Sequence, residues 1–217
     1  MILVANLSAP LQAQTADDSL RVYAANITKS PISQKQFDGH GIYLGRGEII
    51  TAAHVVGRWP FFTRPRVLIA GQDLPATIIK EGSFPELDLA LLSVEEDRLP
   101  VFLRLRRNPL CKESPKIGTD VIVVNPEQTT RSRIISPRLI APEYRDRFDT
   151  LINTEQASGS GLFDADRKCL LGIMSAKVAK YNTQIPNSVI ARRAGGFAGY
   201  FVPASKIATF LPPASFR

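Results

Sequence analysis

Apolar residues fall in short runs along the chain, many of them β-branched or alternating with polar positions. Runs of this kind, cut off by Gly, Pro, Asn and Asp, predict strands and turns rather than long helices. Residues 21–27, Arg-Val-Tyr-Ala-Ala-Asn-Ile, give a first strand, and 28–39 a loop. Gly41–Leu44 and Gly47–Thr51 are joined through Gly45-Arg46-Gly47, which has the composition of a hairpin turn. Arg66–Ala70 and Ala76–Ile79 flank Gly71-Gln72-Asp73 as a further strand pair. A strand holding Asp88 runs on to Val94, and Val101–Leu105 completes the first half. Pro109 and Pro115 mark the linker, after which Ile117–Pro126, Arg133–Leu139, Phe148–Asn153, Gly172–Ala176 and Ala198–Pro203 read as strands. A polar loop covers 177–196, and 204–211 predicts a short C-terminal helix.

Three segments interrupt this pattern with chemistry. Thr51-Ala52-Ala53-His54 ends a β-branched run on one histidine. Taken alone, such a histidine is more often an ordinary core or surface residue than a catalyst. Pro85-Glu86-Leu87-Asp88-Leu89-Ala90-Leu91-Leu92 sets an aspartate inside an apolar strand, where its charge needs a partner. Thr154-Glu155-Gln156-Ala157-Ser158-Gly159-Ser160-Gly161 surrounds two serines with small residues. Small neighbours let the chain turn sharply and let a carbonyl approach backbone N–H groups.

Together, in the order His, Asp, Ser, these segments resemble the trypsin-like (chymotrypsin-fold) serine peptidases. Thr-Ala-Ala-His is similar to the family's histidine segment, Asp-Leu-Ala-Leu-Leu to its buried carboxylate strand, and Ser158–Phe163 to its nucleophile motif. Ser160 is a rival to Ser158, but only counting from Ser158 keeps Phe163 and Leu170–Ile173 in the family's register. Residues 117–126 and the strand ending Phe201-Val202-Pro203 resemble the Deg-type and glutamyl-endopeptidase-like bacterial branches, here without a PDZ appendage. The resemblance implies an all-β protein of two six-stranded antiparallel β-barrels with a short C-terminal helix. It divides the chain into an arm or signal remnant over 1–20, a barrel over 21–107 carrying His54 and Asp88, a linker over 108–117, and a barrel over 118–217 carrying the serine.

The implied reaction is peptide-bond hydrolysis through an acyl-enzyme, with Ser158 as nucleophile, His54 as base and Asp88 as its orienting carboxylate. The backbone N–H groups of Gln156 and Ser158 would form the oxyanion hole. Gln156 stands where the family has glycine, which favours a second reading, a chymotrypsin-fold binding module with weak or no catalysis. Substrate would be read by Ile152, Gly199, Tyr200 and Phe201. No aspartate or histidine that would select basic or glutamate side chains lies there, which leaves a small or medium apolar side chain. Ala157 offers no carboxylate to a freed N-terminus, so zymogen-style processing is not expected. The chemistry needs no cofactor and no metal, and the partner is a polypeptide substrate.

Composition adjusts this picture only slightly. The chain has 217 residues, 44% of them hydrophobic, enough to bury a substantial core, with 16 prolines and 14 glycines for turns. The net charge is +7, with Arg104, Arg106, Arg107 and Lys112 clustered near mid-chain. Aromatic residues are not interleaved with these charges, so no nucleic acid is expected and a solvated basic face is the reading. No apolar run is long enough to span a membrane. In some trypsin-like enzymes a disulfide ties the linker to the strand after the nucleophile, and Cys111 and Cys169 occupy comparable places. A bridge there would imply an oxidising compartment, hence secretion or a periplasm. Residues 1–14 read either as the end of a secretory leader lacking its basic start or as a first strand or arm.

Overall fold

A computed structural model describes residues 17–29, 37–57, 64–83, 86–180 and 196–213. The N-terminal arm over 1–16 and most of the polar loop, over 181–195, lie outside the described residues. Two antiparallel sheets make up the body. The first contains β1 (Ala24–Thr28), β2 (Gly39–Gly45), β3 (Glu48–Thr51), β4 (Arg66–Ile69), β5 (Gln72–Pro75), β6 (Thr77–Glu81) and β7 (Ala90–Ser93) in the order β5-β4-β1-β2-β3-β7-β6. The second is a closed barrel of β8 (Asp120–Val124), β9 (Thr129–Ile135), β10 (Leu151–Ile152), β11 (Gly161–Asp164), β12 (Leu170–Ala179) and β13 (Phe197–Pro203).

The second barrel has the six strands expected, while the first sheet has seven. The reason is Ala76, which interrupts what would be a single bent strand: β5 pairs with β4, and β6 pairs with β7 at the opposite edge. The two ends of the sheet are therefore consecutive in the chain, and the sheet curls into a barrel-like half. Tight two-residue turns set its hairpins. Arg46 and Gly47 have φ of 54° and 75°, and Ala70 and Gly71 have 48° and 77°. Paired positive φ values are those of a type I′ turn, whose twist matches the strands it joins.

Several expected strands take other forms. Residues Asp18–Tyr23 form a 3-10 turn, and β1 starts only at Ala24. Val101–Leu105 does not complete the first sheet. It forms the one-turn helix α2 (Val101–Arg104) after Pro100, because only Leu103 finds the core. The stretch ending at Leu139 leaves its strand at Ile135 and turns at Pro137, which has no N–H for a ladder. Asp88 lies just before β7 rather than within it, so its carboxylate interrupts no strand.

What joins the halves is apolar. Ile42, Ile50 and Leu91 of the first sheet, with Leu89 just before β7, pack in one cluster with Ile122, Val124, Phe163, Ile173 and Val202 of the barrel. Leu20 from the N-terminal turn and Ile207 and Phe210 from the C-terminal helix α3 (Ala204–Phe210) close it. Polar ties fix the N-terminal turn to the barrel: Asp17 accepts from Arg131 Nε at 2.8 Å and Lys168 Nζ at 2.7 Å. Cys111 and Cys169 are disulfide-bonded with Cα atoms 5.1 Å apart, within the ordinary range. The bridge is reinforced by Cys111 N–H donating to Leu170 O at 2.9 Å.

Candidate active site

The three predicted segments meet where the halves join. β3 ends at Thr51, and the chain turns at Ala52 into the one-turn helix α1 (Ala53–Val56), which carries His54. Both alanines are buried, and their small side chains let α1 sit close against the sheet. The His54 side chain stays 42% exposed, while that of Asp88 is 3% exposed. Asp88 is held on both oxygens. Oδ1 accepts from the His54 backbone N–H at 3.0 Å, and Oδ2 lies 2.8 Å from His54 Nδ1. A carboxylate can only accept, so this contact places a proton on Nδ1, and in the neutral imidazole Nε2 then carries the lone pair. Burial by itself would raise the Asp88 carboxyl, but hydrogen bonds from His54 and Ser175 outweigh it and hold the group below its ordinary value.

Ser175 is a site residue that sequence reasoning missed. Its hydroxyl donates to Asp88 Oδ2 at 2.5 Å, across the junction between barrel and first sheet. The signal was present: Ser175 is a buried hydroxyl in the otherwise apolar run from Leu170 to Ala176. A hydroxyl inside a strand needs a partner as much as the aspartate does.

Ser158 stands on a tight turn between Ala157 and Ser160, with Ser160 N–H reaching Ala157 O at 3.3 Å. Gly159 has φ of 81°, and a Cβ there would run into the His40 carbonyl. Backbone bonds stitch the turn to both halves: His40 N–H donates to Ser158 O at 2.9 Å, and Gly159 N–H to Met174 O at 2.8 Å. Ser158 is half-buried, and its Oγ lies 3.3 Å from Ser175 O, to which it donates. The rival Ser160 is fully buried, with no hydrogen-bond partner for its hydroxyl among the described residues. It has no surface to offer a substrate.

Gln156 lacks the left-handed backbone that a glycine would adopt. Among described non-glycine residues only Arg46, Ala70 and Lys168 have positive φ. Of the four residues expected to read substrate, Ile152 and Phe201 are fully buried, packed with Leu162, Leu171 and Met174 in the barrel core. Gly199 pairs with Ile152 on the adjacent strand, and a Cβ on it would meet Met174 Cε and Thr154 O. Tyr200 is half-buried, its ring edge-on to Phe148 at 5.0 Å. It lines a cavity of about 190 Å³ shared with Asp88 and Ser175. Burial, then the charges of Asp149 and Asp88, push its hydroxyl up to about 12.

The other histidine, His40, is buried behind the serine turn. His40 Nδ1 lies 2.8 Å from Asn26 Oδ1, and its Nε2 lies 3.8 Å from Glu127 Oε2. Burial lowers its pKa, with the Glu127 charge opposing. Its carbonyl accepts from Thr51 Oγ1 at 2.5 Å, so β3, β2 and the serine turn are tied through one residue. Among the described residues, no group of three or more His, Cys, Asp or Glu is placed to hold a metal.

Comparison with known proteins agrees with this architecture. The profile of the trypsin-like peptidase domain matches residues 39–173, and the chain belongs to that family. No curated protein matches the chain in sequence. Among solved structures, the protease domain of MamO from Magnetospirillum magneticum is similar with a TM-score of 0.59 at 19% identity, covering 89% of this chain and 98% of that one. Neuropsin, a serine protease of mouse brain, gives 0.61 at 14% identity over 87% and 92%. The active form of the Rv3671c protease from M. tuberculosis gives 0.57 at 21% identity over 89% and 81%. Its inactive form gives the same 0.57, so the likeness speaks to fold alone.

Proposed function

We propose that the protein is a serine endopeptidase working through an acyl-enzyme. The observation that carries this reading is the Asp88 carboxylate, buried yet held by His54 N–H, His54 Nδ1 and Ser175 Oγ. Such a carboxylate fixes the imidazole's tautomer and stabilises it once protonated. Ser158 Oγ attacks the scissile carbonyl and gives its proton to His54 Nε2, which passes it to the leaving amine. Water then attacks the ester by the same route and restores Ser158. The N–H groups of Gln156 and Ser158 receive the oxyanion. The two halves act as units, 21–107 supplying base and carboxylate and 118–217 the nucleophile, joined by 108–117. Met174 and Ile152 lie against Gly199, which favours a small or medium apolar side chain at the cleavage site. The Cys111–Cys169 bridge supports an oxidising location, secreted or periplasmic.

A second reading has specific support. Ser158 donates to Ser175 O, and Gln156 keeps an ordinary backbone, as in a binding module that retains the fold without an assembled oxyanion hole. A fluorophosphonate or sulfonyl fluoride probe separates the two. The peptidase reading requires covalent labelling at Ser158 that is lost in Ser158→Ala, together with cleavage of an unfolded polypeptide. A chain that stays unlabelled under conditions that label trypsin to completion is a binding module.

A further inference from the structure

We propose that the segment Val101–Arg107, with the neighbouring hairpin turn at Arg46, is a docking surface for an anionic lipid bilayer. The segment reads Val-Phe-Leu-Arg-Leu-Arg-Arg. Only Leu103 is buried in it, and Val101, Phe102 and Leu105 are 57%, 46% and 80% exposed. Three large apolar side chains thus project from one helical turn, with nothing of this chain's described residues covering them. Scattered exposed apolar residues need no explanation, but three on one turn do.

Cations surround the projection. Arg106 and Arg107 follow it and are exposed, and Arg46 is exposed at the tip of the β2–β3 turn. That turn lies against them: a Cβ on Gly45 would run into Arg107 Cδ, and Asn108 N–H donates to Leu44 O at 3.0 Å. Arg107 Nη1 donates to the carbonyls of Arg104 and Arg106, which fixes its guanidinium beside the helical turn. Acidic groups are present beside them: Glu95 pairs with Arg98 at 4.0 Å and Asp97 with Arg104 at 3.7 Å, Glu96 lies against Gly47 of the hairpin turn, and Glu48 follows that turn. Apolar tips ringed by arginines match the boundary of a bilayer, where acyl chains lie beneath a layer of phosphates.

Other occupants fit less well. A second copy docking isologously would set the arginines of one surface against those of the other. A folded acidic protein needs a complementary face of roughly 600–800 Å² on each partner, whereas this projection is one short turn. A bilayer needs no shaped pocket.

The test uses the full chain, so that its other apolar segments are common to parent and variants. Binding is measured by co-sedimentation with vesicles of phosphatidylcholine alone and of phosphatidylcholine mixed with phosphatidylglycerol, at low and raised salt. The parent binds the mixed vesicles, binds phosphatidylcholine alone far less, and is released by salt. Phe102→Ser with Leu105→Ser, and separately Arg46→Gln with Arg106→Gln, each weaken partitioning by about tenfold or more. All four positions are exposed, and an unchanged thermal midpoint verifies that the variants are folded. Absence of binding to the mixed vesicles, or variants that partition like the parent, overturns the proposal. A parent that is a dimer by light scattering and becomes a monomer in the same variants assigns the surface to a second copy and overturns it as well. Binding of polyglutamate that depends on the four residues, without vesicle binding, does so in favour of an acidic protein.

Discussion

Replacing Gln156 with glycine probes the oxyanion hole directly. In the proposed mechanism the hole requires the Gln156 N–H to converge with that of Ser158 on the carbonyl oxygen, and a glycine reaches this geometry with positive φ. Gln156 does not have positive φ here, unlike Arg46, Ala70 and Lys168. Holding a non-glycine residue in the left-handed region costs about 1–2 kcal/mol. By the Boltzmann factor, removing that cost multiplies the population of the competent backbone about 5- to 30-fold. The gain has a ceiling, since a single oxyanion donor is typically worth about 10²–10³ in kcat. Gln156→Gly is therefore expected to raise kcat/KM on an unstructured peptide by about 5- to 30-fold, carried by kcat rather than KM. The rate of phosphonate labelling, whose adduct mimics the tetrahedral intermediate, should rise by the same factor. A variant that neither turns over nor labels faster would show that Gln156 already delivers its N–H without a left-handed backbone, and the reasoning fails.

Ser158→Ala should abolish both turnover and labelling, whereas Ser160→Ala should leave labelling intact and cost no stability, because it removes a buried hydroxyl without a partner. Cys111→Ala with Cys169→Ala opens a link of 58-residue separation, for an expected loss of about 4 kcal/mol. The thermal midpoint should fall by about 8–16 °C, read by calorimetry, and a smaller change than half of that rejects the estimate. Stability should also fall on acidification in two stages. His40 is held below its ordinary 6.5 by burial, so as pH drops beneath that value the unfolded chain takes up a proton that the folded one refuses. Asp88 is held below its ordinary 3.8, and the stability it contributes is present above that value and lost as pH falls through its folded pKa. A His40→Gln variant should lose the first stage and keep the second in urea titrations at stepped pH.

The three candidate segments and the second barrel were legible because their signals are local: a histidine after two small residues, an aspartate beside an apolar run, a serine among glycines. Ser160 was a real competitor on composition; register in the sequence favoured Ser158, and burial of Ser160 adds to that. Other features depend on contacts far apart in sequence. Ser175 donates to Asp88 across 87 positions, and nothing near either residue announces the other. The same holds for His40, whose partners Asn26 and Glu127 come from opposite halves. Val101–Leu105 misled because its apolar content suits a strand, while its environment offers a core to Leu103 alone. Phe201 and Ile152 were placed by register on strands near the serine, yet register says nothing about which face of a closed barrel a side chain takes.

The bridge between Cys111 and Cys169 makes a covalent ring of everything between them, and Ser158 is a member of that ring. Within it lie exposed positions such as Leu139 and Tyr144, on short 3-10 turns open to attack by a protease. A single cut there opens the ring but releases no fragment, since both new ends remain attached through the sulfurs. Molecules nicked there would migrate as one species until a thiol is added, and then fall into two pieces. The fold thus carries Ser158 on a segment that survives one nick without leaving the molecule.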